Sequence, residues 1–173
     1  MSEISIRMAS CDEDIEEVRA LCRQWLDWHW KAYPADWPTE GNPMDPERFE
    51  TILEELPKLH SRPRGGIFIA ALEDQPVGCV MYNEAGAGIS EFNRMFVTED
   101  GRGHGIGRRL LNRMFEQMIE DGYQKVIFSS AKFLTHARSM YEAVGFADMA
   151  HPEGFPDEWR NYVYFMERSL LPR

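Results

Sequence analysis

Residues 95–111 read M-F-V-T-E-D-G-R-G-H-G-I-G-R-R-L-L and join the end of an apolar strand to a glycine-rich turn and the start of a helix. Glycine lets the backbone approach a ligand without a Cβ in the way, and the first N–H groups of a helix have no partner within the helix. Such a turn is suited to bind an anion. Basic side chains surround it, namely Arg102, His104, Arg108, Arg109 and Arg113. The pattern therefore predicts a small ligand that carries phosphate groups.

The spacing of the glycines excludes the two commonest nucleotide-binding motifs. A dinucleotide fingerprint requires G-x-G-x-x-G, but the third position falls on Arg108 when counted from Gly103 and on Leu110 when counted from Gly105. The loop G-x-x-x-x-G-K-[ST] is excluded because the chain contains no Gly-Lys-Ser or Gly-Lys-Thr. What remains is Arg102-x-x-Gly105-x-Gly107, placed between a strand and a helix.

The composition favours a single domain over residues 1–173 with an acidic surface. A chain of 173 residues with 43% hydrophobic content can bury one core but is short for two. The formal net charge of −10 argues against nucleic acid or an anionic membrane as a partner, because both are bound by basic surfaces. The chain also has no apolar run of the ~18 residues that a membrane-spanning helix needs.

Cysteine and histidine usage predicts neither a disulfide framework nor a metal site. The three cysteines form no C-x-x-C pair, and no zinc spacing occurs among them and the five histidines. The N-terminus lacks a basic segment followed by an apolar one, which a secretory signal would show. We therefore expect a cytoplasmic protein with reduced, structural thiols.

Hydrophobic periodicity predicts a chain of mixed α/β class. We expect strands at 3–9, 67–72, 77–82, 89–97, 126–129 and 161–166, and helices that begin at Asp12, Asp45, Ile106 and Thr135. The three middle strands should form an antiparallel meander. The strand, helix and strand that follow should form a parallel crossover, which places the glycine turn at the carboxyl end of a strand.

The strand at 89–97 does not alternate cleanly between apolar and polar residues. Strict alternation puts both polar and apolar side chains on each face, with Phe92, Arg94 and Phe96 together on one of them. Either both faces are covered, or an extra residue near Asn93 shifts the alternation as a β-bulge does. A bulge would leave backbone N–H groups near Met95 free to bind a ligand.

A second motif follows the crossover and, with the first, resembles a known family. Residues 137–146, A-R-S-M-Y-E-A-V-G-F, are similar to A-x-x-L-Y-x-x-x-G-F in the GCN5-related N-acetyltransferase (GNAT) superfamily, whose pyrophosphate loop also resembles Arg102-x-x-Gly105-x-Gly107. The resemblance is strongest over 92–146 and implies an N-acetyltransferase that uses acetyl-CoA and no metal. It also implies a homodimer as a candidate assembly.

The resemblance implies a role for several positions in acetyl-CoA binding. The backbone at 95–97 would hold the pantetheine arm and the thioester carbonyl, and residues 102–108 would hold the pyrophosphate. The implied contact residues are Met95, Phe96, Val97, Arg102, Gly103, His104, Gly105, Ile106, Gly107 and Arg108. Many family members carry Asn three residues before the alanine of the second motif, where this chain has Leu134. A side-chain contact to pantetheine is therefore missing or replaced.

Candidate catalytic residues follow from the chemistry of acetyl transfer to an amine. Glu91 is the family-like candidate for the base, and Glu84 is the second choice. Tyr141 of the second motif would donate a hydrogen bond to the departing sulfur. An aromatic cluster at the end of the first helix is a candidate acceptor site, with Trp25, Trp28, His29 and Tyr33 as its substrate-binding residues.

The acceptor itself stays open at this stage. We expect a primary amine of a small molecule that attacks acetyl-CoA directly in a ternary complex, because no cysteine lies near the motifs. A protein N-terminus or a lysine side chain is an alternative acceptor. A non-catalytic module that binds acyl-CoA as a sensor is the alternative from another functional class.

Overall fold

The computed structural model describes residues 1–172 and folds them around one seven-stranded sheet. The strands are β1 (Ile4–Met8), β2 (Gly66–Leu72), β3 (Gln75–Gly86), β4 (Ile89–Val97), β5 (Lys125–Ala131), β6 (Ala147–Met149) and β7 (Val163–Ser169). The helices are α1 (Asp12–Ala32), α2 (Pro46–Leu59), α3 (Ile106–Glu120) and α4 (Thr135–Ala143).

The order of strands across the sheet is β1-β2-β3-β4-β5-β7-β6. Strands β4 and β5 pair in parallel, and each other neighbouring pair is antiparallel. The predicted mixed α/β fold is therefore confirmed, with antiparallel N-terminal strands and a parallel β4-α3-β5 crossover. The short strand β6 was not predicted, because three residues are too few to show an alternating pattern.

The helices begin at the predicted positions or within one residue of them, and their N-terminal caps differ. Asp12 and Thr135 are the first helical residues, and the cap positions before them are Cys11 and Leu134, neither of which makes a side-chain cap bond. Asp45 does cap α2, where its carboxylate accepts a bond of 3.1 Å from the backbone N–H three residues on. The position of α4 is therefore set by packing against the sheet more than by its cap.

Two apolar clusters cover the two faces of the sheet. Helices α3 and α4 pack on one face, which we call the α3 face, where Leu110, Met114 and Tyr141 are buried. Helices α1 and α2 pack on the other face, which we call the α1 face, where Val18 and Leu53 are buried. Burial of such side chains contributes about 1.5–3 kcal/mol each, and this holds the helices against the sheet.

Strand β4 contains the bulge, one of the two alternatives for its irregular pattern, and both of its faces are also covered. In its pairing with β3, Phe96 lies opposite Cys79 and Asn93 lies opposite Met81. Two residues of β4, Arg94 and Met95, therefore lie opposite one residue of β3. One of these two residues, Arg94, has a left-handed backbone with φ of 51°. Phe92 belongs to the cluster on the α3 face and Phe96 to the cluster on the α1 face. In a regular strand, residues four positions apart point to the same face, so the bulge is what places these two rings on opposite faces.

Candidate active site

The cleft of the molecule opens where β4 and β5 separate. The two strands pair only at Ile89–Glu91 against Lys125–Ile127, although β4 continues to Val97 and β5 to Ala131. A cleft of about 830 Å³ lies along the separated ends. Its walls are residues 92–97, 101–103, 105–108, 128–130 and 133–137, with Met140, Tyr141 and three residues of α1. Both sequence motifs therefore contribute to one cavity.

The glycine turn forms one end of this cleft. Gly103 and Gly105 have left-handed backbones with φ of 80° and 71°, and a Cβ at either position would meet no atom within 4 Å. The first backbone bond of α3 runs from the N–H of Arg109 to the carbonyl of Gly105 at 3.2 Å. The N–H groups of residues 106–108 precede that bond and have no partner in the helix. The turn thus offers open space and free donors, which fits a pyrophosphate group.

The basic side chains around the turn separate into two groups. Arg102 and Arg108 line the cleft, and the guanidinium of Arg102 also lies 5.6 Å from the centre of the Trp28 ring. His104 is exposed and lies outside the lining of the cleft. Arg109 donates to the carbonyl of Ile4 at 3.3 Å, outside the lining. The predicted pyrophosphate contacts of Arg102 and Arg108 agree with this arrangement, whereas His104 would reach a ligand only by turning inward.

The residues of the bulge and those that follow it line the cleft. Met95, Phe96 and Val97 all line it, as the resemblance implied for the segment that holds pantetheine. A bulge interrupts the ladder of hydrogen bonds between strands, so that backbone groups beside it are available to a ligand. Leu134 lines the cleft as well, and its apolar side chain supplies no hydrogen bond there. A ligand in this region would be held mainly by main-chain groups.

Tyr141 lies on α4 with its ring against the sheet. It is 5% exposed, lines the cleft, and its ring centre is 4.3 Å from that of Phe128. Burial raises the pKa of the phenol well above its usual value, with a smaller contribution from the neighbouring Tyr164. The hydroxyl therefore stays protonated at neutral pH and can act as a hydrogen-bond donor.

The two candidate bases lie in different surroundings. Glu91 is half-buried in β4, next to Phe92 of the cleft wall but outside the lining itself. Burial raises the pKa of the Glu91 carboxyl, and the positive charge of Arg94 partly offsets this. Glu84 forms an ion pair with Arg64 and lines a separate pocket. The geometry therefore favours Glu91 over Glu84.

The aromatic cluster is partly cleft wall and partly core. Trp25 and Trp28 line the cleft, whereas His29 and Tyr33 do not. Tyr33 donates its hydroxyl proton to the carbonyl of Pro38. Of the predicted substrate-binding residues, the structure thus brings only the two tryptophans to the cavity.

His29 is enclosed by rings. It is 4% exposed, and neither of its ring nitrogens has a hydrogen-bond partner among residues 1–172. The ring centres of Phe133 and Tyr33 lie 5.3 and 5.5 Å away. Burial lowers the pKa of the imidazole to about 4, so the ring is neutral at pH 7.

Arg94 is a cleft residue that the sequence motifs did not identify. Its guanidinium donates from Nη2 to Nε2 of His60 at 2.9 Å and from Nε to the sulfur of Met81 at 3.1 Å. Its left-handed backbone costs about 1–3 kcal/mol and persists only where the surroundings enforce it. The mixed pattern of 89–97 was the one available signal, since it marked a bulge next to a basic residue.

Neither a metal site nor a membrane-spanning helix is found within residues 1–172. Within residues 1–172, no group of three or more His, Cys, Asp or Glu side chains is arranged to hold a metal ion. The same part of the chain contains no helix of the length and apolar character needed to cross a membrane.

Comparisons with known proteins agree with this geometry. The model of the acetyltransferase (GNAT) family matches residues 22–146. N-acetylaspartate synthetase of Danio rerio is 27% identical over 107 residues, which is 61% of this chain and 38% of that protein. The N-acetyltransferase YjgM of Escherichia coli is 26% identical over 105 residues, which is 59% of this chain and 63% of that protein. The chain thus spans less than two thirds of the length of each of these two relatives.

Solved structures show the same fold. The PaiA N-acetyltransferase of Thermoplasma acidophilum, in complex with coenzyme A, superposes with a TM-score of 0.69 over 96% of this chain and 99% of that one, at 18% identity. The family match covers more than half of the chain and includes the glycine turn, the bulge and Tyr141. The protein is therefore a member of the GNAT acetyltransferase family.

Proposed function

We propose that this N-acetyltransferase transfers the acetyl group of acetyl-CoA to a primary amine of a small molecule by direct attack in a ternary complex. The observation that carries the proposal is one continuous cleft that includes the glycine turn, the bulge of β4, Tyr141 and two tryptophans of α1. A shared cleft holds both reactants side by side, which removes the need for a covalent enzyme intermediate. Within residues 1–172, the lining of the cleft contains no cysteine, in agreement with direct attack.

The glycine turn and the bulge would hold acetyl-CoA, which supplies an acetyl group activated as a thioester. Charge-assisted hydrogen bonds contribute about 1.5–3 kcal/mol each, and a helix N-terminus contributes about 0.3–1 kcal/mol. The guanidinium groups of Arg102 and Arg108 and the N–H groups of 106–108 would thus bind the pyrophosphate more strongly than the dipole of α3 does. The backbone at 95–97 would orient the thioester carbonyl toward the acceptor.

Glu91 would take the proton of the attacking amine. A lysine-like amine with a pKa of ~10.4 costs about 4.6 kcal/mol to deprotonate at pH 7, at ~1.36 kcal/mol per pH unit. A carboxylate whose pKa is raised by burial is a better proton acceptor than an exposed one. Because Glu91 is outside the lining of the cleft, one water molecule between the carboxylate and the amine would complete the path.

Tyr141 would donate a hydrogen bond to the departing sulfur. Full transfer of a proton from a phenol of pKa ~10 to a thiolate of pKa ~8.5 is uphill by roughly 2 kcal/mol when neither group is perturbed. Burial makes this phenol harder still to deprotonate. The hydroxyl therefore stabilises the thiolate as a donor and keeps its own proton.

Trp25 and Trp28 support a small acceptor that carries an amine. An ammonium group or an apolar side chain can pack against the faces of these rings at the wall of the cleft. The name of the zebrafish relative refers to an acetylated amino acid, which also favours a small molecule over a protein as the acceptor. The acidic net charge of −10 weakly attracts a cationic amine.

The test is release of CoA thiol from acetyl-CoA in the presence of small amines, amino acids and peptides, after binding of acetyl-CoA has been measured by calorimetry. We expect turnover on one class of small amine. Glu91→Gln should lower that turnover, and Glu84→Gln, a matched change outside the cleft, should leave it unchanged. Turnover on peptides alone would point to a protein acceptor, and tight binding without any turnover would point to a sensor.

A further inference from the structure

We infer that Arg94 binds a carboxylate group of the acceptor, so that the substrate is an amino acid with a free amine and a free carboxylate. This rests on the proposed function, because it concerns the acceptor of the same reaction.

Arg94 is a positive charge without an ionic partner. Among residues 1–172, no carboxylate forms an ion pair with it, and its side chain bonds to His60 and Met81. A buried cation is costly unless an anion and hydrogen bonds compensate it. Because Arg94 lines the cleft, a ligand in the cleft can supply that anion.

His60 holds the guanidinium in place without neutralising it. Nδ1 of His60 lies 2.9 Å from the carbonyl oxygen of Tyr82, which can only accept, so Nδ1 carries the proton. Nε2 is then the acceptor for the N–H of Arg94 at 2.9 Å. Burial lowers the pKa of His60 to about 4, so the ring is neutral at pH 7. The imidazole thus fixes one edge of the guanidinium.

The rest of the guanidinium is available to a ligand. The two contacts use Nε and one proton of Nη2, and Nη1 makes no hydrogen bond to residues 1–172. A planar guanidinium presents parallel N–H groups that match the two oxygens of a carboxylate. The left-handed backbone of Arg94 and the contact of its carbonyl with the thiol of Cys79, at 3.5 Å, further restrict its position.

The position of Arg94 assigns the carboxylate to the acceptor and not to acetyl-CoA. Its side chain contacts His60, which directly follows α2, and Met81, which is buried on the α1 face of the sheet. Its carbonyl contacts Cys79, which is buried on the same face. The glycine turn leads into α3, which packs on the opposite face. Arg94 and the glycine turn therefore line different parts of one cleft, with Arg94 and Trp25 on the α1 face and the turn at the start of α3. Trp28 lies between these parts, since Arg102 of the turn reaches its ring.

Glu91 completes a site for a zwitterion. It lies three residues before Arg94 on the same strand, and strand alternation from Phe92 directs it to the α1 face. Burial raises the pKa of the Glu91 carboxyl, and the positive charge of Arg94 lowers it. An amino acid carries an amine and a carboxylate a few ångströms apart, so the amine can be directed to Glu91 while the carboxylate binds Arg94.

The experiment compares matched acceptors that differ only in the carboxylate. Alanine, aspartate, phenylalanine and lysine are each assayed against the corresponding α-carboxamide, and kcat/KM is measured from the release of CoA thiol. We expect the free acid of the preferred side chain to exceed its amide by about 10- to 100-fold, the effect of one charge-assisted bidentate contact. The amide has the lower amine pKa and the larger neutral fraction, so intrinsic reactivity would give the opposite order.

Two variants assign the preference to Arg94. Arg94→Gln should reduce the ratio of acid to amide to about one and leave acetyl-CoA binding, measured by calorimetry, unchanged. Arg102→Gln is the matched control, since it removes another arginine of the cleft at the phosphate end. It should weaken acetyl-CoA binding and keep the ratio of acid to amide.

The possible failures are distinguishable. Amides used as well as acids by the native protein would overturn the role of Arg94 while the proposed function stands. Absence of turnover on every amine would overturn the proposed function. In that case, binding of the same acids and amides to the native protein with CoA is measured by calorimetry. Binding of the acids alone supports the inference, whereas equal binding of acids and amides, or no binding of either, refutes it. This comparison does not depend on whether the Arg94 variant folds.

Discussion

Replacement of His29 by phenylalanine should make the protein less sensitive to acid. His29 is 4% exposed and neither ring nitrogen has a partner within residues 1–172. Burial lowers the pKa of the imidazole from 6.5 to about 4. Between these two values the unfolded chain binds more protons than the folded one, so the free energy of unfolding falls as the pH falls from 6.5 toward 4.

The size of the effect follows from the same pKa values. At pH 5.5, one unit below the unfolded pKa of 6.5, His29 reduces the free energy of unfolding by about 1.4 kcal/mol relative to pH 7.5. His29→Phe removes this contribution. The two pH values are compared within each variant, and a change of packing by the larger ring is present at both, so it cancels.

The assay is urea unfolding at pH 7.5 and at pH 5.5, followed by tryptophan fluorescence. We expect native protein to lose about 1.4 kcal/mol more than His29→Phe between the two conditions. The pKa of His60 is lowered to the same value, and this residue is present in both proteins, so its contribution cancels as well. Val18→Ala, a fully buried and non-titrating change in the same helix, should lower stability equally at both pH values. Equal losses in native protein and His29→Phe would refute the reasoning.

Three further changes test other parts of the structure. Gly105→Glu should abolish acetyl-CoA binding in calorimetry, because a carboxylate would occupy the position of the anion. The control is Gly105→Ala, which has the same backbone strain at φ of 71° without the charge and should retain measurable binding. Tyr141→Phe should lower turnover by roughly 10²-fold or less and leave the affinity for acetyl-CoA intact, and unchanged turnover with a saturating acceptor would contradict its role. Asp121→Asn should lower the free energy of unfolding in urea by about 1–3 kcal/mol, because this carboxylate, 6% exposed, accepts two bonds of 2.6 Å from Arg62; an unchanged midpoint would show that the pair contributes nothing.

Local patterns in the sequence were sufficient for most of the helices and strands and for the position of the glycine turn. Periodicity predicted four helices and six of the strands, and the glycine spacing predicted the turn before α3. In α3, Phe115 is buried and Ile119 is 53% exposed. The apolar pattern of that helix fits either side chain at its margin, and contact with the sheet decides between them.

Side-chain partners distant in sequence could not be predicted in this way. Arg94 contacts His60, 34 positions earlier, and Glu84 is engaged by Arg64, 20 positions earlier. No periodicity connects such positions, because their distance depends on how α2 ends against the sheet. The same limit applies to His29 and Tyr33, whose aromatic spacing fits both a ligand site and a core. Phe133 follows β5 in the chain and lines the cleft, and its ring packs against those of His29 and Tyr33.

One extra residue in β4 accounts for the shape of the whole site. Without the bulge, alternation from Phe92 would place Arg94 and Phe96 on the α3 face and Met95 and Val97 on the α1 face. With it, Phe96 packs in the core of the α1 face and Met95 and Val97 against that of the α3 face. The shift brings Asn93 and Arg94 side by side on the α1 face, where the tryptophans lie, and interrupts the ladder where the thioester would bind. A shortened β4 that lacks Arg94 would therefore lose both halves of the site, since the geometry of each depends on the same bulge.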